Sequence, residues 1–258
     1  MSNTIAFDPQ KIGQMYEFMS QPYLPTEAAN AITFGRQDVL VAEAQKFSPT
    51  YSIQIEEGGL IDIGRGTHRW VLDPIDGTIP YKTGVPVSAI LLSLLDEEGS
   101  PLLGSTYIPL VEHMYSAIRG EGALFNGKRV HVNDTPSEHR IHFQQLIGMT
   151  GPEPSELFDL NQTRFSITKL GGKIVVLGST GHELALVGAG QHAAQVFGGN
   201  TPHDIAAGAL FAHEAGAVVT DLRGFNHRYD EPINGSVAAA TPQLHEQLLE
   251  QVSFLNAA

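Results

Sequence analysis

Three short stretches of this chain carry carboxylates in settings where acids do chemistry. They are Ile55-Glu56-Glu57-Gly58-Gly59, Asp73-Pro74-Ile75-Asp76-Gly77-Thr78 and Thr201-Pro202-His203-Asp204-Ile205. Hard oxygen donors of this kind suit Mg²⁺, which keeps several waters and takes few protein carboxylates. The middle stretch says most. Asp73 and Asp76 are separated by a stiffening Pro74 and by Ile75, whose carbonyl is free to face the same ion. The pattern predicts a tight turn here, directly after a short buried strand at Trp70-Val71-Leu72. Gly77 permits close approach of backbone to a ligand, and Gly77-Thr78 opens a helix whose N–H groups face an anion. The bland alternative is that both Asp are turn and cap residues, a common use of Asp.

These stretches need elements to hold them. Ile12, Met15, Phe18 and Met19 have helical spacing, so the first fifty residues read as helical, with a second helix over Gln37 to Lys46. Tyr51, Ile53 and Ile55 then alternate with polar neighbours as a half-buried strand would. From Val87 to Val132 the chain reads as a β-meander. Its strands are Val87–Leu95, Leu102–Ile108 and His113–Ile118, and Asn126-Gly127 marks a hairpin turn. Residues 133 to 165 are polar and rich in turn formers. The join between two subdomains is placed there, giving residues 1–140, with the first two acidic motifs, and residues 141–258. The second half alternates: strand near Ile174–Leu177, helix near Glu183–Ala189, strand near Ala193–Phe197, helix Asp204–Ala215 and strand Ala217–Thr220. A last strand, Ser236–Ala240, precedes a terminal helix from Pro242 to Phe254. Alternation of this kind predicts an α/β, layered α+β fold.

Composition narrows the function. The 258 residues are 42% hydrophobic and 17% charged, as in a packed globular protein. Lys and Arg total 15 against 28 Asp and Glu, a net charge of −13, which argues against nucleic acid or an anionic membrane as partner. An anionic substrate would then need bound cations to draw it in. There are no cysteines, so disulfides and thiolate chemistry are excluded. The N-terminus shows no secretory signal, and the most apolar stretch, Ala89–Leu95, is far short of the ~20 residues of a membrane span. A soluble cytoplasmic protein is the expectation.

The string WVLDPIDGT resembles the signature of the inositol monophosphatase superfamily of Mg²⁺-dependent, lithium-sensitive phosphatases. HDIAAGALFAHEAGA resembles its second signature, and YIPLVEHMYSAIRGEGALFNGKRVHVN follows the family's strand-and-hairpin pattern. The likeness spans roughly residues 36 to 250. It implies an αβαβα sandwich, two or three Mg²⁺ ions, a small phosphate ester as substrate and a homodimer. Residue by residue, it implies that Glu56, Asp73, the Ile75 carbonyl, Asp76 and Asp204 bind the ions. Thr78 with Glu56 would activate the attacking water, Asp76 would be catalytic through its ion, and Gly77 and Thr78 would offer N–H groups to the phosphate. Ser179 and Thr180, in the turn Gly178-Ser179-Thr180-Gly181, would touch substrate hydroxyls; plain turn and capping chemistry is the equal alternative.

The pattern departs from the family at four points. Ile55 replaces a Gly before the Glu pair, which leaves Glu56 and Glu57 in competition as first ligand. Ile79-Pro80-Tyr81 replaces an Asn followed by an aromatic, and His203 replaces a Trp. Phe197, by an ungapped count, stands where inositol-specific members carry a ring-binding Glu, so it is expected to present an apolar face to the substrate. Two other functions stay open. One is histidinol-phosphate phosphatase, whose members share the Asp-Pro-Ile-Asp-Gly-Thr motif with a Gly-x-Pro soon after it, as in Gly84-Val85-Pro86. The other is a catalytically weak, metal-binding regulatory homologue.

Overall fold

A computed structural model of the protein describes residues 40–42, 44–45, 50–56, 59–61, 67–132, 146–150, 158–199, 201–252 and 254. Most of the helix expected in the first fifty residues lies outside them; residues 40–42 and 44–45 are helical.

Period-two alternation builds the first sheet. Its strands are β1 (Ser52–Ile55), β2 (Gly59–Ile61), β3 (Arg69–Asp76), β4 (Ala89–Leu95), β5 (Pro101–Ile108), β6 (His113–Ile118), β7 (Gly122–Phe125) and β8 (Lys128–Val130). They lie in the order β2-β1-β3-β4-β5-β6-β7-β8, with only β1 and β3 parallel among the paired neighbours. Ile90, Leu92 and Leu94 of β4 join Trp70, Leu72, Ile53 and Ile55 in a core against Leu40 and Ala44. The odd residues Ala89 and Leu91 face the opposite way, toward Ala185, Ala207 and Phe211. A strand buried on both faces reads as a near-continuous apolar run, and β4 does. The β7–β8 turn at Asn126-Gly127 has φ of 46° and 75°, as a two-residue hairpin loop demands.

The second sheet has the order β10-β9-β11-β13-β12, from β9 (Leu146–Thr150), β10 (Lys173–Val175), β11 (Ala194–Phe197), β12 (Val218–Thr220) and β13 (Ser236–Ala239). Ile147, Met149, Ala194, Val196, Val237 and Ala239 face outward onto α2 (Leu160–Lys169) and α5 (Pro242–Gln251) through Leu160, Ile167, Leu244 and Leu248. Between the sheets lie α3 (Thr180–Gly188) and α4 (Ala206–Glu214). The layers therefore run helix, sheet, helices, sheet, helices, the expected layered α/β sandwich. A short helix, α1 (Thr78–Thr83), follows β3.

Two local expectations needed correction. The region 133–165 holds strand β9 and the start of α2, rather than turns alone; β9 is short and Gly-interrupted, so its signal was weak against its polar surroundings. The strand at Trp70 does not end before Asp73. β3 continues through Asp76, with an irregularity in which Asp73 pairs with Leu91 and Asp76 with Ala89. Three steps on β3 match two on β4, so a bulge, not a turn, re-aims the second carboxylate.

Candidate active site

The bulge sets the geometry. Asp73, two residues beyond Val71, falls on the sheet face that looks toward α3 and α4, and the extra residue brings Asp76 to the same side. Asp204 arrives from a 3-10 turn, Pro202–Asp204, just ahead of α4. Carboxylate oxygens of Asp73, Asp76 and Asp204 all lie within 4.8 Å of one another. Glu56, at the end of β1, adds its charge beside Asp73. Glu57 lies outside the described residues.

Each acid has its own support. Asp73 Oδ1 accepts the Ile75 N–H at 2.9 Å. Asp76 accepts three bonds from one turn: Ser179 Oγ at 2.7 Å and Gly181 N at 2.8 Å on Oδ2, and Thr180 N at 3.0 Å on Oδ1. It thereby caps α3, an N-terminus left without a cap by its own Ser179. Asp204 accepts the Thr201 hydroxyl and sits 3.6 Å from His203 Nε2.

Electrostatically the cluster is far from balanced. Burial, then the charges of Glu56, Asp76 and Asp204, hold the Asp73 carboxyl well above the usual carboxylate range. Burial and then Asp204 push Asp76 up to about 8, against the lowering pull of its three donors. Burial raises Asp204 as well, partly offset by His203 and Thr201. Among the described residues no Lys or Arg pairs with these three aspartates. Protons or cations must balance them, and an all-oxygen donor set this dense fits a hard divalent cation.

Thr78 heads α1 with its Oγ1 donating to the Ile75 carbonyl at 3.4 Å, so that carbonyl keeps one lone pair for another partner. Gly77 adopts φ +83°, and a Cβ there would lie 2.9 Å from the Gly178 carbonyl. Glycine is thus required where the two site turns meet.

Three expected substrate contacts look different in three dimensions. Ser179 and Thr180 are buried, and their hydroxyls are committed to Asp76 and to Thr150 Oγ1 at 3.2 Å. Ser179 holds a carboxylate instead of facing an open cleft, and its side chain makes no cap bond to its own helix. Phe197 presents no face to a cleft either. Its ring is 3% exposed and packs with Val71, Leu184, Ile205 and Ala238, because β11 turns this residue inward between the sheets. Sequence reasoning missed Thr150, and it considered Gln195 only as a substrate contact under a shifted count from Asp204; the two brace the Thr180 turn instead.

The inositol monophosphatase family model matches residues 26–257. The chain belongs to the inositol monophosphatase family. An inositol-1-monophosphatase of Mesorhizobium japonicum is 32% identical over 220 residues, covering 84% of this chain and 79% of that protein. A fructose-1,6-bisphosphatase/inositol-1-monophosphatase of Thermotoga maritima is 35% identical over 188 residues, covering 73% and 69%. The Nus factor SuhB of Pseudomonas aeruginosa is 32% identical over 223 residues, covering 84% and 79%. In fold, the inositol monophosphatase of Anabaena superposes with a TM-score of 0.79 at 24% identity, over 95% of this chain and 93% of that one.

Proposed function

We propose that this family member is a Mg²⁺-dependent phosphomonoesterase acting on a small soluble phosphate ester. The observation that carries the reading is the convergence of Asp73, Asp76 and Asp204 within 4.8 Å, with His203 beside Asp204 and no Lys or Arg among the described residues paired with the three. Two or three Mg²⁺ ions held there by these aspartates, Glu56 and the Ile75 carbonyl would supply a water nucleophile at neutral pH and offset charge building on the phosphate oxygens.

The chain's own residues would do the rest. Asp73, which feels the charges of Glu56, Asp76 and Asp204 alike, would be a ligand to the bound ions. Asp76 is kept in one rotamer by Ser179, Thr180 and Gly181. Thr78 Oγ1, donating to Ile75 O, would accept a hydrogen bond from the attacking water and so aim its lone pair at phosphorus, while Glu56 would take the one proton released. Gly77 and Thr78 turn first-turn N–H groups, which lack partners within α1, toward the phosphate. Attack is in line, without a covalent intermediate.

The substrate side is less inositol-like. The position that an ungapped count assigns to the ring-binding carboxylate is Phe197, which is buried, and the exposed residue at the start of α1 is Ile79. This supports a permissive enzyme, or one preferring a less hydroxylated ester. By analogy with the family the same reading takes the protein as a cytoplasmic homodimer. The test is turnover of an aryl phosphate with and without Mg²⁺, then kcat/KM across inositol, sugar, nucleotide and histidinol phosphates. Background turnover at saturating Mg²⁺ would sink the enzymatic reading and favour a binding role, in keeping with the name of the Pseudomonas relative. Strong selectivity for inositol monophosphate would sink the permissive one.

A further inference from the structure

Glu183 is an ionisable group buried outside the carboxylate cluster, and its hydrogen bonding is incomplete as an anion. Oε1 accepts the Leu177 N–H at 2.6 Å, whereas Oε2 is buried with no partner. On β11, Gln195 directs Nε2 to the Thr180 carbonyl at 3.1 Å and to Thr150 Oγ1 at 3.4 Å. The Thr180 carbonyl can only accept, which fixes the amide's orientation and leaves Gln195 Oε1 buried and without a donor. The two side chains are neighbours within hydrogen-bonding reach. A Cβ on Gly148 would meet Glu183 Oε2 at 2.6 Å and Gln195 Cγ at 3.2 Å, so the carboxyl and the Gln195 side chain both pack over that glycine. Two buried acceptors side by side are costly, and one proton cures both, because a carboxylic acid donates where a carboxylate cannot.

We propose that Glu183 is held as the neutral acid, donating Oε2–H to Gln195 Oε1, and that this bond is a positioning device for Asp76. The connection runs through the backbone. Gln195 holds the Thr180 carbonyl, and the same turn gives Asp76 the Thr180 and Gly181 N–H groups and the Ser179 hydroxyl. Glu183 touches neither substrate nor ion; it acts through Ser179–Gly181. Its role toward a cation rests on the reading of Asp76 as a ligand.

The surroundings agree. Burial pushes the Glu183 carboxyl up to about 7, against the Leu177 and Gly178 N–H groups and the Gln195 amide, and no charged side chain contributes. From α3 itself, His182 is turned away to the Val87 carbonyl at 2.9 Å. α4 meets α3 through Gly208 against Leu184 and Gly181, β4 through Leu91, and β9 and β11 present Gly148 and Gln195.

The proton is read by NMR of the full chain labelled at the glutamate carboxyl carbon, in which aspartates are silent. The resonance lost in Glu183→Gln should keep its protonated position through pH 6 and titrate near 7. A resonance titrating in the ordinary glutamate range would overturn the proposal. Positioning is read from the Mg²⁺ concentration at half-maximal thermal stabilisation. Glu183→Gln, whose amide can donate to Gln195 Oε1, should stay within about twofold of wild type, and Glu183→Ala should need roughly tenfold more Mg²⁺, the size of one buried hydrogen bond. Should the alanine variant not fold, Gln195→Met replaces it with the same expectation. An unchanged midpoint in the alanine or methionine variant would overturn the positioning role. A wild type with no Mg²⁺ response would fail the metal reading and the positioning role with it, while the resonance still decides the proton.

Discussion

Ser179 donates its hydroxyl to Asp76 Oδ2 at 2.7 Å, across 103 positions of sequence. The bond joins the bulged end of β3 in one sheet to the head of α3, in the helical layer between the sheets. It makes the rotamer of an acid in the cluster depend on a turn from the other half of the chain, so damage to that turn should read out at the site.

Asp76→Asn should lower turnover by at least roughly 10²–10³, the usual cost of one lost charge-stabilising group. The fold should survive, because relief of repulsion from Asp204 offsets the loss of one acceptor. Thermal melts and kcat at saturating Mg²⁺ check this together. Near-normal kcat would remove Asp76 from the ligand set.

Magnesium should stabilise the chain. At a hundredfold excess over Kd, binding to the folded state alone contributes about 2.7 kcal/mol. For a chain of this length that is a rise in Tm of roughly 5–10 °C. Differential scanning calorimetry with EDTA and with Mg²⁺ measures it, and coincident melts would count against a metal centre.

Gly77→Ala should cost ~1–3 kcal/mol for a non-glycine residue held at positive φ. The new Cβ would also press on the Gly178 carbonyl at 2.9 Å and Ser179 Cβ at 3.0 Å. Denaturant melts should show the loss, with activity falling further than stability because Thr78 and Ser179 are both displaced. Wild-type stability in this variant would mean the two turns do not meet as described.

His192 is 5% exposed, and burial with the nearby His182 charge lowers it to about 4. In the unfolded chain it titrates near 6.5, so between those values the unfolded state binds the extra proton and stability falls as pH falls. Fully expressed, the effect is about 3 kcal/mol, present above pH ~6.5 and lost toward pH ~4. His192→Asn should flatten that limb of a Tm-versus-pH curve. The same slope in the variant would assign the limb to other groups.

Phe197→Glu should not create an inositol site. It would replace a packed ring with a carboxylate among Val71, Leu184 and Ile205, at a cost of about 3–5 kcal/mol. A large fall in Tm with no gain in kcat/KM on inositol phosphate is the expected result. Gained activity at unchanged stability would show that the residue can reach the cleft.

Much of this molecule was legible in its one-dimensional pattern. Alternation at Ile53 and Ile55, the apolar run of β4 and the Asn126-Gly127 turn are local preferences that fix elements wherever they occur. The acids at positions 56, 73, 76 and 204 stood out because an acid beside a strand end or helix start has a chemical reason to be there. Weak local signals failed: β9 is five residues interrupted by Gly148, and the bulge between Asp73 and Asp76 follows from pairing with β4, which no local rule contains. Direction of burial failed too. Counting from Asp204 placed Phe197 beside a substrate, but which way a strand residue points is settled by the sheet and helices packed against it. The partners of Asp76 come from a turn 103 to 105 positions away. Only chain folding brings such groups into reach, so the acids were readable in advance and what holds them was not.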